Sequence, residues 1–161
     1  MSAPTWLAEA EKHIGVTEIP GPKTDATIAG WLGRLGAWWA DDATPWCGVF
    51  VAHCMAAAGI KLPKYWMRAR DWANWGSALS APERGCIVVF ERQGGGHVGF
   101  VVGRTLTGNL LVLGGNQGDA VKISAFPRDR VVGYFWPPAV PLPMHQALRV
   151  MAPAELSVNE A

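Results

Sequence analysis

A chain of 161 residues, half of them apolar, is long enough for one domain that buries roughly 70% of the surface its unfolded chain exposes. With 14 basic against 13 acidic residues, evenly scattered, the net charge of +1 offers no field for nucleic acid or for an anionic membrane. No run approaches the roughly 18 apolar residues of a membrane span, and "MSAPTWLAEAEKHIGV" lacks the layout of a secretory signal, so a soluble monomer made in the cytoplasm is expected.

Trp6, Leu7, Ala10 and Ile14 recur at helical spacing between Pro4 and Gly15, which predicts a first helix over about 4–14. "VTEIPGPKTD" reads as a loop, because two prolines and a glycine interrupt any period. Ile28, Trp31, Leu32 and Leu35 predict a second helix over about 24–35, stopped by Gly36. A third is expected from Thr44 to Ala58, stopped by Gly59, and a short helical piece in "MRARDWANWG". The pattern then changes. "GCIVVF", "HVGFVVG", "NLLVLGG", "AVKISAF" and "RVVGYFW" are brief, β-branched or aromatic, and bounded by turn residues, with a hairpin around Thr107-Gly108-Asn109. Helices first and strands second, joined by links too short for crossover helices, predict an α+β domain with N-terminal helices on an antiparallel sheet of about five strands. Residues 1–137 are assigned to this domain. The remaining 138–161 form a proline-rich extension, either a docked helix with Met144, Leu148 and Met151 on one side or a mobile tail.

The three cysteines cannot all pair within one chain, and thiols are expected. In "TPWCGVFVAHC", Thr44 is a good N-cap and Pro45 suits the first helical position, which would make Cys47 the third helical residue. The first turn of a helix carries unpaired N–H groups and roughly +0.5 charge, so a thiolate is favoured there. The same N–H groups suit an oxyanion that forms when sulfur attacks a carbonyl. The plainer alternative is that Cys47 is a small buried hydrophobe. Cys54 lies about 10 Å further along the helix among apolar neighbours, too far to pair with Cys47, and Cys86 opens an apolar strand; both read as structural.

A thiolate nucleophile needs a base, and the base needs a group that holds its tautomer. His53 sits about 9 Å along the helix from Cys47 and about 120° around it, out of reach. His13 and His145 belong to the first helix and the tail. His97 remains, at the start of a strand after "GGG", with Gly99 on its own side clearing room beside the ring. After the next strand comes Asn116, whose side-chain carbonyl suits the ring N–H, although an ordinary turn asparagine is the alternative. Together these make a Cys-His-Asn set.

"PWCGVFVAHCMAAAG", "RGCIVVFERQGGGHVGFVVG" and "LLVLGGNQGDAVKISAFPRDRVVGYFWP" resemble the CHAP domains (cysteine- and histidine-dependent amidohydrolases/peptidases) of bacteriophage endolysins, within the papain-like superfamily that also holds NlpC-type peptidases. The resemblance covers about residues 4–137. It implies a papain-like fold, Cys47 as nucleophile, His97 as general base and then acid, Asn116 as the orienting residue, and cleavage of an amide in peptidoglycan without a cofactor. Many CHAP domains carry a glutamate two residues before the asparagine. Here that place is Gly114, which leaves the orienting role to Asn116 alone or to an acid such as Glu91 or Glu18. Some relatives bind calcium upstream of the cysteine, but "DDATPWC", with Asp41 and Asp42, lacks the alternating oxygen ligands of a calcium loop and no metal is expected.

Among nine tryptophans, Trp46 adjoins the nucleophile and is expected at the rim of the cleft as a substrate contact, whereas most of Trp38, Trp39, Trp66, Trp72 and Trp75 are assigned to the core. Lys64, Arg68 and Arg70 are either receivers of a stem-peptide carboxylate or a solvated face. The reading implied is an endolysin, made in the cytoplasm of a host bacterium and released to the periplasmic wall. Its rivals are a secreted antibacterial amidase effector, a non-catalytic wall-binding module, and a zinc site of Cys47, Cys54, His53 and His97, which the helix geometry disfavours.

Overall fold

The computed structural model describes residues 3–19, 24–39 and 45–151. Helix α1 (Thr5–Lys12) buries Trp6, Leu7 and Ala10. Helix α2 (Ala26–Leu35) begins at Asp25, whose carboxylate accepts from the N–H groups of Thr27 and Ile28 at 2.9 and 3.1 Å, a cap worth about 1 kcal/mol. It ends on Gly36, left-handed at φ 75°. Helix α3 (Cys47–Ala57) is buried along nearly its whole length, which fits a stretch that is apolar almost all round.

α3 starts later than its sequence suggests. Trp46 has φ −125° and ψ 20°, outside helical geometry, and the bond from Phe50 N–H to Trp46 C=O at 3.0 Å is the first of the helix. Cys47 is therefore the first helical residue rather than the third. The reason lies in the indole of Trp46, fully buried and tied through Nε1 to Glu18 at 3.0 Å, which anchors that residue apart from the helix. Thr44, the predicted cap, lies outside the described residues, as do Asp41 and Asp42.

The short helical piece is a 3₁₀ turn at Ala69–Asn74. Beyond it stand β1 (Ser77–Leu79), β2 (Ile87–Arg92), β3 (Gly95–Arg104), β4 (Leu110–Gly114), β5 (Lys122–Phe126) and β6 (Val131–Trp136). They form one antiparallel sheet of six strands in the order β1-β6-β2-β3-β4-β5. The strand not foreseen is β1, whose three residues are too few to show a period; it pairs with the outer side of β6. The β3–β4 hairpin closes with Thr105 N–H on Asn109 C=O at 2.9 Å and Gly108 at φ 91°. The result is the expected α+β arrangement of N-terminal helices on an antiparallel sheet, with α3 packed across β3 and β4.

The segment after β6 contains no helix among its described residues. Its prolines remove N–H groups that a helix would need, and the chain docks in extended form instead. Gln146 N–H reaches the Glu83 carboxylate at 3.0 Å and His145 Nδ1 meets the same group. Arg104 and Met151 each donate across the Arg104–Val150 bridge, at 3.0 Å, and Leu148 is buried.

α1 and α3 meet through a polar cluster as well as through apolar contact. Glu9 Oε2 accepts from His13 Nε2 at 2.8 Å and from His53 Nε2 at 3.0 Å. The His13 bond, opposed by partial burial and reinforced by His53 and Lys12, holds the Glu9 carboxyl down at about 2. Burial, only partly offset by Glu9, pulls His53 below its ordinary value, so that ring is neutral at pH 7.

Candidate active site

At the start of α3 the chain must fit between two other segments. A side chain at Gly48 would come within 2.6 Å of Trp66 C=O and 2.9 Å of Met67 C=O, and one at Gly115 would come within 2.7 Å of Phe50 and 2.8 Å of Trp46. Glycine at both places lets the first turn of α3 sink between the 66–67 backbone and the end of β4. This close approach delivers Cys47, 6% exposed, to His97, 1% exposed, on β3.

His97 is held flat. Its ring stacks on Phe126 of β5 at 5.5 Å and on Phe90 of β2 at 6.2 Å. Gly99, predicted to leave open space beside the ring, does something different: a side chain there would meet Val112 Cγ1 at 2.6 Å and Leu113 C=O at 3.2 Å, so its absence lets β4 close against β3. That closure brings the turn after β4 over the imidazole.

The amide that meets His97 in this turn belongs to Gln117, one residue beyond the predicted Asn116. His97 Nε2 lies 3.0 Å from Gln117 Oε1. Gln117 is fully buried, and its Nε2 donates to Val112 C=O at 3.1 Å and to Lys122 C=O at 2.7 Å. Two carbonyls on the amide nitrogen fix which end of the side chain faces the ring: the oxygen does. His97 Nε2 must then carry the hydrogen, which leaves Nδ1 as the basic atom. Asn116, 3% exposed, sits at φ 59° in the left-handed region that asparagine tolerates. Its backbone turns the following side chain inward. A side chain at Gly114 would lie 2.3 Å from Gln117 Oε1 and 3.5 Å from His97 Nε2, so Gln117 fills the space that the missing glutamate would occupy.

The acids proposed from sequence are used elsewhere. Glu18 accepts from Trp46 Nε1, and Glu91 makes an exposed ion pair with Arg70 at 3.0 Å. Trp46 is fully buried behind the site, so it is a wall of the core and not a rim contact. Its neighbour in sequence to Cys47 says nothing of the direction its indole takes. Trp38, by contrast, is 88% exposed and stands edge-on to Trp39, which stacks on Trp66 beside the start of α3. Lys64 and Arg68 both lie over the ring of Tyr65.

The sulfur of Cys47 is in a setting unlike that of the other thiols. Burial pushes its pKa up, but the His97 hydrogen bond and charge, with N–H groups of Val98 and Gly48, outweigh burial and hold it below the ordinary thiol value. Burial raises Cys54 well above that value and takes Cys86 to about 12. At pH 7 a small alkylating reagent should therefore modify Cys47 first in the folded chain and leave Cys54 and Cys86 untouched until denaturant is added. Peptide mapping checks this; equal labelling of all three without denaturant would contradict the ordering.

Residues 39–116 match the family model of the CHAP domain, a span that includes Cys47, His97 and Asn116 and stops one residue short of Gln117. No curated protein matches the chain.

Proposed function

The chain carries a CHAP-type domain, and from that premise we propose that it is a peptidoglycan hydrolase cutting an amide bond, at the muramic acid-alanine link or within the stem peptide, with Cys47 as nucleophile. CHAP domains are in general amidase or peptidase hydrolases. The observation that carries the reading is the line of three buried side chains: thiol at a helix start, imidazole hydrogen-bonded to it, and an amide fixing the far nitrogen.

In the proposed reaction the Cys47 proton passes to His97 Nδ1 and the thiolate adds to the amide carbonyl. The oxygen becomes negative beside the first turn of α3, where the Cys47 N–H has no helical partner. Collapse expels the amine, which takes its proton from His97. A water, deprotonated by the same ring, then hydrolyses the thioester and returns the free thiol. Gln117 holds His97 in the tautomer this sequence needs. The exposed Trp38, propped by Trp39 and Trp66, replaces Trp46 as the surface on which a sugar ring would stack.

We also read the protein as an endolysin, acting on the periplasmic wall after release from the cytoplasm of a host bacterium; the support is the likeness of the three quoted stretches to phage CHAP domains. The test is mass spectrometry of purified peptidoglycan digested by the full chain. One new amine and one new carboxyl terminus per cut identify the bond, and intact muropeptides would refute the hydrolase reading.

A further inference from the structure

Between α1 and the middle of α3, six residues along that helix from Cys47, lie three groups that the proposed hydrolysis does not use. Glu9 and His13 are four residues apart and lie on one face of α1 and its C-terminal cap. His53 comes from the middle of α3. One ligand atom from each lies within 4.8 Å of the others, and the two contacts to Glu9 Oε2 are 2.8 and 3.0 Å. Ligands on a tetrahedral zinc with bonds of about 2.0–2.2 Å stand about 3.3–3.5 Å apart. Both Glu9 contacts would lengthen by a few tenths of an ångström to accommodate an ion, and the two ring nitrogens, within 4.8 Å of each other, would settle at the same spacing.

We propose that Glu9, His13 and His53 form a zinc-binding site that ties α1 to α3. The donors are two imidazoles and one carboxylate, a set that suits a borderline divalent ion such as zinc and is poor in the oxygens that calcium or magnesium requires. Nearby charge argues the same way. Lys12 Nζ sits on Glu9 Oε1 at 3.2 Å, and Arg34 lies close enough to act on His53, so the site does not attract cations by field alone. It selects by nitrogen donors. Lys12 occupies Oε1 and leaves Oε2 for the metal.

The rings are already oriented. Trp31 of α2 lies stacked against His53 at 5.2 Å and edge-on to His13 at 5.1 Å, forming an apolar floor. The side chains of His13, His53 and Glu9 keep exposures of 20%, 12% and 20%, which provides an entry path from solvent. Three protein ligands leave a fourth position for water. Binding exchanges the two ring N–H hydrogen bonds to Glu9 for metal bonds, each ring moving its hydrogen to Nδ1 as Nε2 becomes a ligand. This site differs from the Cys47-Cys54-His53-His97 set considered from sequence. His53 belongs to Glu9 and not to the thiols.

The experiment uses the tag-free full chain carrying Cys47→Ala, so that the reactive thiol cannot hold the probe. Zinc ion alone is titrated by calorimetry after treatment with chelator, and cobalt(II) ion is titrated in parallel by visible absorption. The expected result is about one ion per chain, a tetrahedral cobalt spectrum without thiolate charge transfer, and a thermal midpoint higher by several degrees at saturation. His53→Gln should weaken binding more than about 100-fold, beyond the roughly 10–100-fold that loss of an outer partner costs. His13→Asn, at the partly exposed end of α1, should do the same and guards against a folding defect at the more enclosed His53. Absence of saturable uptake, retention of affinity in both variants, or a thiolate signature would overturn the proposal, while the muropeptide assay, which needs no metal, would stand or fall separately.

Discussion

In the Cys47→Ala protein, the rate at which new amine termini appear in purified peptidoglycan is expected to fall by about 10⁶-fold, close to the loss seen when a nucleophile that works as a unit with its base is removed. The sulfur is the only atom deleted, and alanine is compatible with a first helical position, so α3 should form as before. Loss of the contacts from Val98 and Gly48 N–H costs about 1 kcal/mol of stability, too little to explain the kinetic loss. Binding to wall sacculi should be unchanged. That pairing separates the hydrolase from a non-catalytic wall-binding module, in which Cys47→Ala would alter neither property. Residual turnover within about tenfold of the parent would end the thiol mechanism. Cys47→Ser is expected to be nearly as inactive, because a hydroxyl does not ionise in a setting tuned for a thiol.

How far the sequence revealed this site depends on which physical rule governs each part. Helices α1 and α2 and the five longer strands follow from apolar spacing and turn residues, since burial on one face is a local pattern. Asp25 and Gly36 bound α2 by capping, which is also local. α3 starts two residues later than its local sequence predicts because Trp46 is anchored to Glu18, a contact across 28 positions that no local rule contains. The same contact turned the Trp46 indole inward and removed it from the rim. Cys47 and His97 were legible as chemistry: a thiol at a helix start and a histidine at a strand start are unusual placements. Gln117 was not. Its reach to His97 depends on left-handed backbone at Asn116 and on the space vacated at Gly114. The signal available was the paired glycines before "NQ", which leave room for a longer side chain to fold back. The Glu9–His13 spacing was equally visible, but its third member arrives only through the packing of α3 on α1.

The second large effect is expected at Gln117. Gln117→Ala removes the acceptor on His97 Nε2, frees the ring to rotate or change tautomer, and should lower kcat by roughly 10²–10⁴-fold with little change in KM. Because Val112 C=O and Lys122 C=O also lose a donor, the variant should be less stable by about 1–3 kcal/mol, and rates must be compared well below its melting temperature. Two readouts distinguish positioning from simple loosening. First, alkylation of Cys47 in Gln117→Ala should need higher pH than in the parent, since a wandering imidazole no longer favours the thiolate. Second, Asn116→Gly keeps the left-handed turn at no steric cost while deleting the side chain, and should retain kcat within about tenfold. If the order is reversed, with Asn116→Gly crippled and Gln117→Ala active, the amide that orients His97 during turnover is that of Asn116. The geometry favours position 117, because the Gln117 amide has its nitrogen committed to the Val112 and Lys122 carbonyls and so presents its oxygen to the ring without a choice.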